Sequence, residues 1–181
     1  MTAIVQTELA KGRAARGRPR LQTIFAGVAL AILAPIAVAL PVTLIEGRPL
    51  PWQFHIPWVG PHLPVAMLVL ALGAAQLLLK KGDRGHRLMG YAWLGLMAFI
   101  SVSGLMIQLE PGHLTLVHIA SGVFAVINLI LLPLVVVAAK TGRRRLHRIA
   151  ALGMFAAMLN AGLMAFIPFR TVGLLVFGLL H

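Results

Sequence analysis

The 181-residue chain contains no cysteine. Disulfides, thiolate metal sites and thiol nucleophiles are thereby excluded. Acidic residues are almost as scarce: Glu8, Glu46, Asp83 and Glu110 are the only four, and all lie in loops or tails. The membrane-embedded carboxylates of a proton relay or cation transporter are therefore missing. Charged residues of both signs make up 11% of the chain, against about 25% in an ordinary soluble domain. No HExxH, glycine-rich phosphate loop or Ser-His-Asp set is present.

Hydrocarbon takes the place of these groups, since 60% of the residues are hydrophobic. Five apolar runs cover 22–45, 62–79, 88–109, 114–139 and 149–167, the last extending toward 180. Each is near or above the ~18–20 residues that cross ~30 Å of hydrocarbon. In lipid such runs must be helices, because unpaired backbone groups are too costly there. The reading is one all-α membrane domain with five transmembrane helices.

The net charge of +12 does not point to nucleic acid. A nucleic-acid binder gathers its basic residues on one folded face. Here fourteen of the sixteen Lys and Arg sit in residues 1–21, 80–87 and 140–148, between the apolar runs. Only Arg48 and Arg170 fall on the other side. By the positive-inside rule the N-terminus is cytoplasmic and the C-terminus outside, and five spans satisfy the alternation. Residues 1–21 form a basic tail, 22–45 the first span, 46–61 an outer loop with four prolines, and 62–181 a four-helix up-down-up-down bundle. Trp52 and Trp58 in that loop suit the headgroup level. The first span, with "AVA" at 37–39, also has the pattern of a signal peptide with a cleavage site. Its apolar run continues to Ile45, which favours a retained helix.

Four of the seven histidines open helices. His62 and His118 lie on the outer side, His86 and His147 on the cytoplasmic side. Helices 2 and 4 of the five are diagonal partners in an up-down-up-down bundle, as are 3 and 5. Two imidazoles facing across a core can supply both axial ligands of a haem iron. At ~100° per residue, His86 shares a face with Gly90, Trp93, Met97 and Gly104. The same count joins His147 to Ala151, Met154, Met158, Ala161 and Ala165. His62 aligns with Ala66, Gly73 and Gln76, and His118 with Gly122, Ala125 and Leu129. These faces are small, methionine-rich and uncharged, as a flat macrocycle requires. Small residues also serve membrane helices simply to pack closely, and a histidine at the membrane edge can be idle. His113 competes with His118 as the outer ligand. The two stand a net ~140° apart around a helix, so both cannot face the core. Ser101, Ser103, Ser121, Asn128 and Asn160 read as helix-bridging groups. Gln76 suits either a neighbouring helix or a cofactor edge.

The stretches "HLPVAMLVLALGAAQLLLKKGDRGHRLMGYAWLGLMAFISVSGLMI", "VHIASGVFAVINLILLPLVVVAAKTGRRRLHRIAALGM" and "AGLMAFIPFRTVGLLVFG" resemble a bacterial membrane family known as "domain of unknown function 2306". The shared pattern is a His-opened helix, a Lys-Gly turn, His-Arg with Gly-aromatic, a second His-opened helix, a second His-Arg and a final stretch with Pro and Arg. The resemblance covers residues 62–178 and puts recurrent histidines at His62, His86, His118 and His147. Ile149 stands where relatives often carry a second Arg. The family has no assigned activity. The histidine layout is also similar to that of two-haem transmembrane cytochromes b.

The leading expectation is a multi-pass protein of the bacterial cytoplasmic (inner) membrane that carries electrons through two b-type haems. His62 and His118 would ligate the outer haem, and His86 and His147 the inner. Arg87 and Arg148 are the nearest candidates to hold propionates, while the other inner cations suit lipid headgroups. The expected partners are the bilayer and an electron donor and acceptor or a membrane complex. The rival is a non-catalytic membrane module, either a subunit of a larger complex or a small permease.

Overall fold

A computed structural model of the chain describes residues 21–109, 116–167 and 170–178, with the side chains of 116–118 outside the description. The described residues are all-helical, with no strand. The long helices are α1 (Leu21–Ile45), α2 (Val59–Leu78), α3 (Arg84–Leu109), α4 (Leu116–Lys140) and α5 (Arg144–Met164), followed by a short α6 (Thr171–Phe177). Five of them are long and apolar enough to cross a membrane. The basic tail, His113, Glu110, Pro168 and His181 lie outside the described residues.

Helix ends follow local chemistry rather than the edge of the hydrocarbon. The apolar run starts at 62, yet α2 begins at Val59, with a short 3-10 turn at Trp52–His55 before it. Pro61 is tolerated in this first turn because its missing N–H would have no partner inside the helix. Asp83 caps α3: its Oδ1 accepts from the His86 backbone N–H at 2.7 Å. The cap draws Arg84, His86 and Arg87 into the helix, ahead of the apolar run at 88. At the end of α4, Gly142 takes a φ of +70°. Its N–H reaches Ala139 O, and the Arg143 N–H reaches Ala138 O. These two bonds form the Schellman stop that glycine permits. The run expected from 149 to 167 and beyond is broken in two, with α5 ending at Met164 and α6 starting at Thr171.

Consecutive long helices pack against one another and α6 packs against α1, while α2 with α4 and α3 with α5 make at most marginal backbone contact among the described residues. α2 and α3 run in opposite directions. A Cβ on Gly90 would meet Gln76, one on Gly73 would meet Trp93, and one on Gly104 would meet His62. α1 and α5 run the same way, matched at Phe25 with Phe155 and at Ile32 with Gly162. The α1 stripe of Ala26, Ala29, Ile32 and Ile36 is buried in the same core as Val69, Met97, Met154 and Phe155. Outward residues such as Leu30, Val38, Leu88 and Ile130 remain exposed and apolar, as lipid contact requires.

Candidate cofactor sites at the two ends of the bundle

Two cavities lie toward opposite ends of α2. Fourteen residues separate His62 in one from Gln76 in the other, about 21 Å along the helix. Between them Val69, Met97, Met154 and Phe155 are almost wholly buried.

The first, called the inner cavity because its side is the one expected to face the cytoplasm, measures about 830 Å³, within the ~300–1,000 Å³ of cofactor pockets. His86 from α3 and His147 from α5 both line it, although 61 positions separate them in sequence. His147 Nδ1 lies 3.1 Å from Val135 O on α4. A carbonyl only accepts, so Nδ1 carries a hydrogen, and in the neutral ring Nε2 has the lone pair. Metal-binding histidines are commonly oriented in this manner. His86 Nδ1 is buried without a hydrogen-bond partner. The backbone of His86 is fixed from two sides, by Asp83 at its N–H and by Gln76 Nε2 donating to its carbonyl at 3.3 Å. Gln76 thus ties α2 to the turn that carries the histidine. Arg87, Arg144 and Arg148 line the same cavity, and Gly73, Trp93 and Phe155 line its deeper part. Trp93 is held by its Nε1–H donating to Val69 O at 3.0 Å.

Lys81 has a different task. Its ammonium donates to Gln76 O, and to Leu77 O and Leu79 O at 2.8 Å each. It thereby satisfies the open carbonyls at the C-terminus of α2, where the helix dipole favours a cation. Burial lowers its pKa from the ordinary lysine value.

The second, the upper pocket, is smaller, about 170 Å³. His62 lines it, with its Nδ1 2.8 Å from Ser103 Oγ. That hydroxyl donates to Phe99 O at 2.8 Å, so its oxygen accepts from the His62 Nδ1–H. As at His147, Nε2 keeps its lone pair. Gly104 lies against the ring, its notional Cβ 3.5 Å from His62 Cε1. His118 lies on α4, with its side chain outside the described residues. Arg170, half-buried, lines the pocket and donates to Ser121 Oγ at 3.2 Å. Burial lowers its guanidinium pKa.

Parts of the inward faces expected from helical spacing meet these cavities, while Gly90, Met97, Met154, Gly122 and Leu129 line neither. Gly73, Gln76, Trp93 and Ala151 line the inner one, and Ala66, Gly104, Ala125, Ala161 and Ala165 the upper. Of the residues expected to bridge helices, Ser103 and Ser121 bridge elements, whereas Ser101 Oγ and Asn128 Oδ1 are buried without a partner. Sequence reasoning did not single out Ser103 as a partner of His62, or Arg170 as part of a site. The available signal was a small polar residue beside a glycine on the helix that follows a histidine-opened one.

The described residues hold no cluster of three or more metal-ligating side chains. A bis-histidine haem requires only two, since the macrocycle supplies the rest. The inner cavity fits such a group in volume, in paired imidazoles and in adjacent cations. The upper pocket falls short of the ~300 Å³ lower bound of cofactor pockets, so it would take a macrocycle only if its helices parted. Comparison with protein-family models, curated proteins and solved structures gives no match to this chain.

Proposed function

We propose that the chain is a b-type haem electron carrier of a bacterial cytoplasmic membrane. The observation that carries this reading is one cavity of about 830 Å³ lined by His86, His147, Arg87 and Arg148. The helices alternate up and down, with the basic segments 80–87 and 140–148 in the cytoplasm, as the cation distribution requires. Haem iron held by two imidazoles takes up and releases one electron at a time without exchanging ligands.

The residues of the chain hold and insulate that group. His147 is fixed in its tautomer by Val135 O, and His86 is anchored through Asp83 and Gln76. Arg87 and Arg148 follow the two ligands directly in sequence, where their charge would neutralise propionates. Gly73, Trp93 and Phe155 close the cavity toward the apolar middle of the bundle. The proposal is confined to this inner haem; a second haem on His62 and His118 would need the upper pocket of about 170 Å³ to widen, and haem stoichiometry decides it.

The test is optical. Protein purified from haem-replete cells should be red and give b-type bands in a dithionite-reduced minus oxidised spectrum. His86→Ala and His147→Ala should each abolish the inner haem, and His62→Ala should retain it. Colourless wild-type protein would refute the carrier reading and favour the non-catalytic module.

A further inference from the structure

Ser101 Oγ, Gln108 Oε1 and Asn128 Oδ1 are buried oxygens without a hydrogen-bond partner. All three line the upper pocket. Ser101 and Asn128 are only 2% and 4% exposed. Buried polar groups in native folds are nearly always paired, so three orphans around one cavity call for a partner from outside the chain. Two of them are amide oxygens, which only accept, and the occupant must therefore bring hydrogen-bond donors.

The helices place these groups as a set. Ser101 and Gln108 stand seven residues apart on α3, as do Ser121 and Asn128 on α4, so each pair shares a face. A Cβ on Gly122 would lie 3.9 Å from Gln108 Cγ, which brings the two polar stripes together. Arg170 faces the same space with guanidinium N–H groups beyond the one given to Ser121, so the occupant also offers an acceptor. The remaining wall is apolar, with Ile36, Leu70, Phe124 and Met158. A cavity of about 170 Å³ suits a single six-membered ring: an engineered apolar cavity of about 150 Å³ holds benzene.

We propose that the upper pocket binds the ring of a lipid-soluble hydroquinone. Its phenolic O–H groups donate to the amide oxygens of Asn128 and Gln108, and a phenolic oxygen accepts from Arg170. The spanning helices around the pocket make the bilayer the source of the ligand. This inference rests on the membrane placement in the functional reading, and it assigns the upper pocket to a ring in place of a second macrocycle.

The test uses the full chain in lipid nanodiscs, titrated calorimetrically with a short-chain 1,4-benzoquinol under anaerobic conditions and with its 1,4-dimethyl ether. The ether keeps the ring and loses both donors. The quinol should bind at least about tenfold tighter, the value of roughly one hydrogen bond. Asn128→Leu should weaken quinol binding about tenfold while raising the thermal midpoint of the ligand-free protein, because it removes an unpaired acceptor. Gln108→Leu, which removes the other unpaired amide acceptor, gives the same paired readout if Asn128→Leu does not fold. Equal binding of quinol and ether, no binding of either, or a lowered midpoint in the variant would overturn the proposal. So would two haems per chain. A colourless protein that still prefers the quinol supports this inference while removing the haem reading, because the titration needs no haem.

Discussion

Gly73 shows how narrow the tolerance is where the helices meet. A Cβ there would stand 2.3 Å from Phe155 Cε2 and 2.9 Å from Trp93 Nε1, and Phe155 is itself only 2% exposed. Gly73→Ala must therefore displace the Phe155 ring from its packing against Phe25 and Trp93. Overpacking of this kind costs about 1–3 kcal/mol. Gly95 is the control, with nothing within 4 Å of its notional Cβ. Gly95→Ala should be neutral or stabilising by up to about 1 kcal/mol, through helix propensity alone. Thermal unfolding of the solubilised variants should separate the two clearly, and equal midpoints would refute the packing argument. At this scale much of the inner site was legible. His86, Arg87, His147 and Arg148 announce themselves as a repeated pair at the start of two apolar runs. Ser103 and Arg170 do not, because each meets its partner across a long gap in sequence, 41 positions for His62 with Ser103 and 49 for Ser121 with Arg170. Such contacts depend on helix register, which composition does not encode.

Elements carry these side chains to their sites, and the ends of the elements are where local chemistry acts. Hydropathy locates where hydrocarbon begins, whereas a helix begins where its first N–H groups find acceptors. Asp83 supplies one for α3, so His86 lies in the first helical turn. Asp83→Ala should cost about 0.5–2 kcal/mol, the usual value of an N-cap. It should also loosen the turn that holds His86, so under the proposed function haem occupancy should fall together with the thermal midpoint. A lower midpoint with full haem occupancy would show that the cap does not position the ligand. The last apolar run reads as 149–167 and extending toward 180, whereas the helix stops at Met164 and restarts at Thr171. The Gly173 N–H instead bonds to Ala165 O at 3.0 Å. A Cβ on Gly173 would come within 2.5 Å of Ile167 O. The fold-back therefore depends on a glycine at the point of closest approach.

For the whole molecule the open quantity is orientation, and the missing cysteines make it measurable. Glu46→Cys places one thiol in the exposed loop after α1, and Thr141→Cys places one between α4 and α5. With the proposed orientation, a membrane-impermeant maleimide applied to intact cells labels Cys at 46. Cys at 141 reacts only after lysis. The reverse pattern would invert the assignment of the inner histidine pair to the cytoplasm. The sequence by itself determined that the chain is helical and apolar enough to cross a membrane five times, because lipid leaves the backbone no other way to satisfy its hydrogen bonds. It also marked which helix faces are small and uncharged, because spacing along a helix fixes direction around it. Only the tertiary structure decided that His86 and His147 share one large cavity while His62 lines a small one. It alone left Ser101, Gln108 and Asn128 together without partners. Cavity size depends on how side chains from several helices fill the space between them, and no single stretch of sequence holds that information.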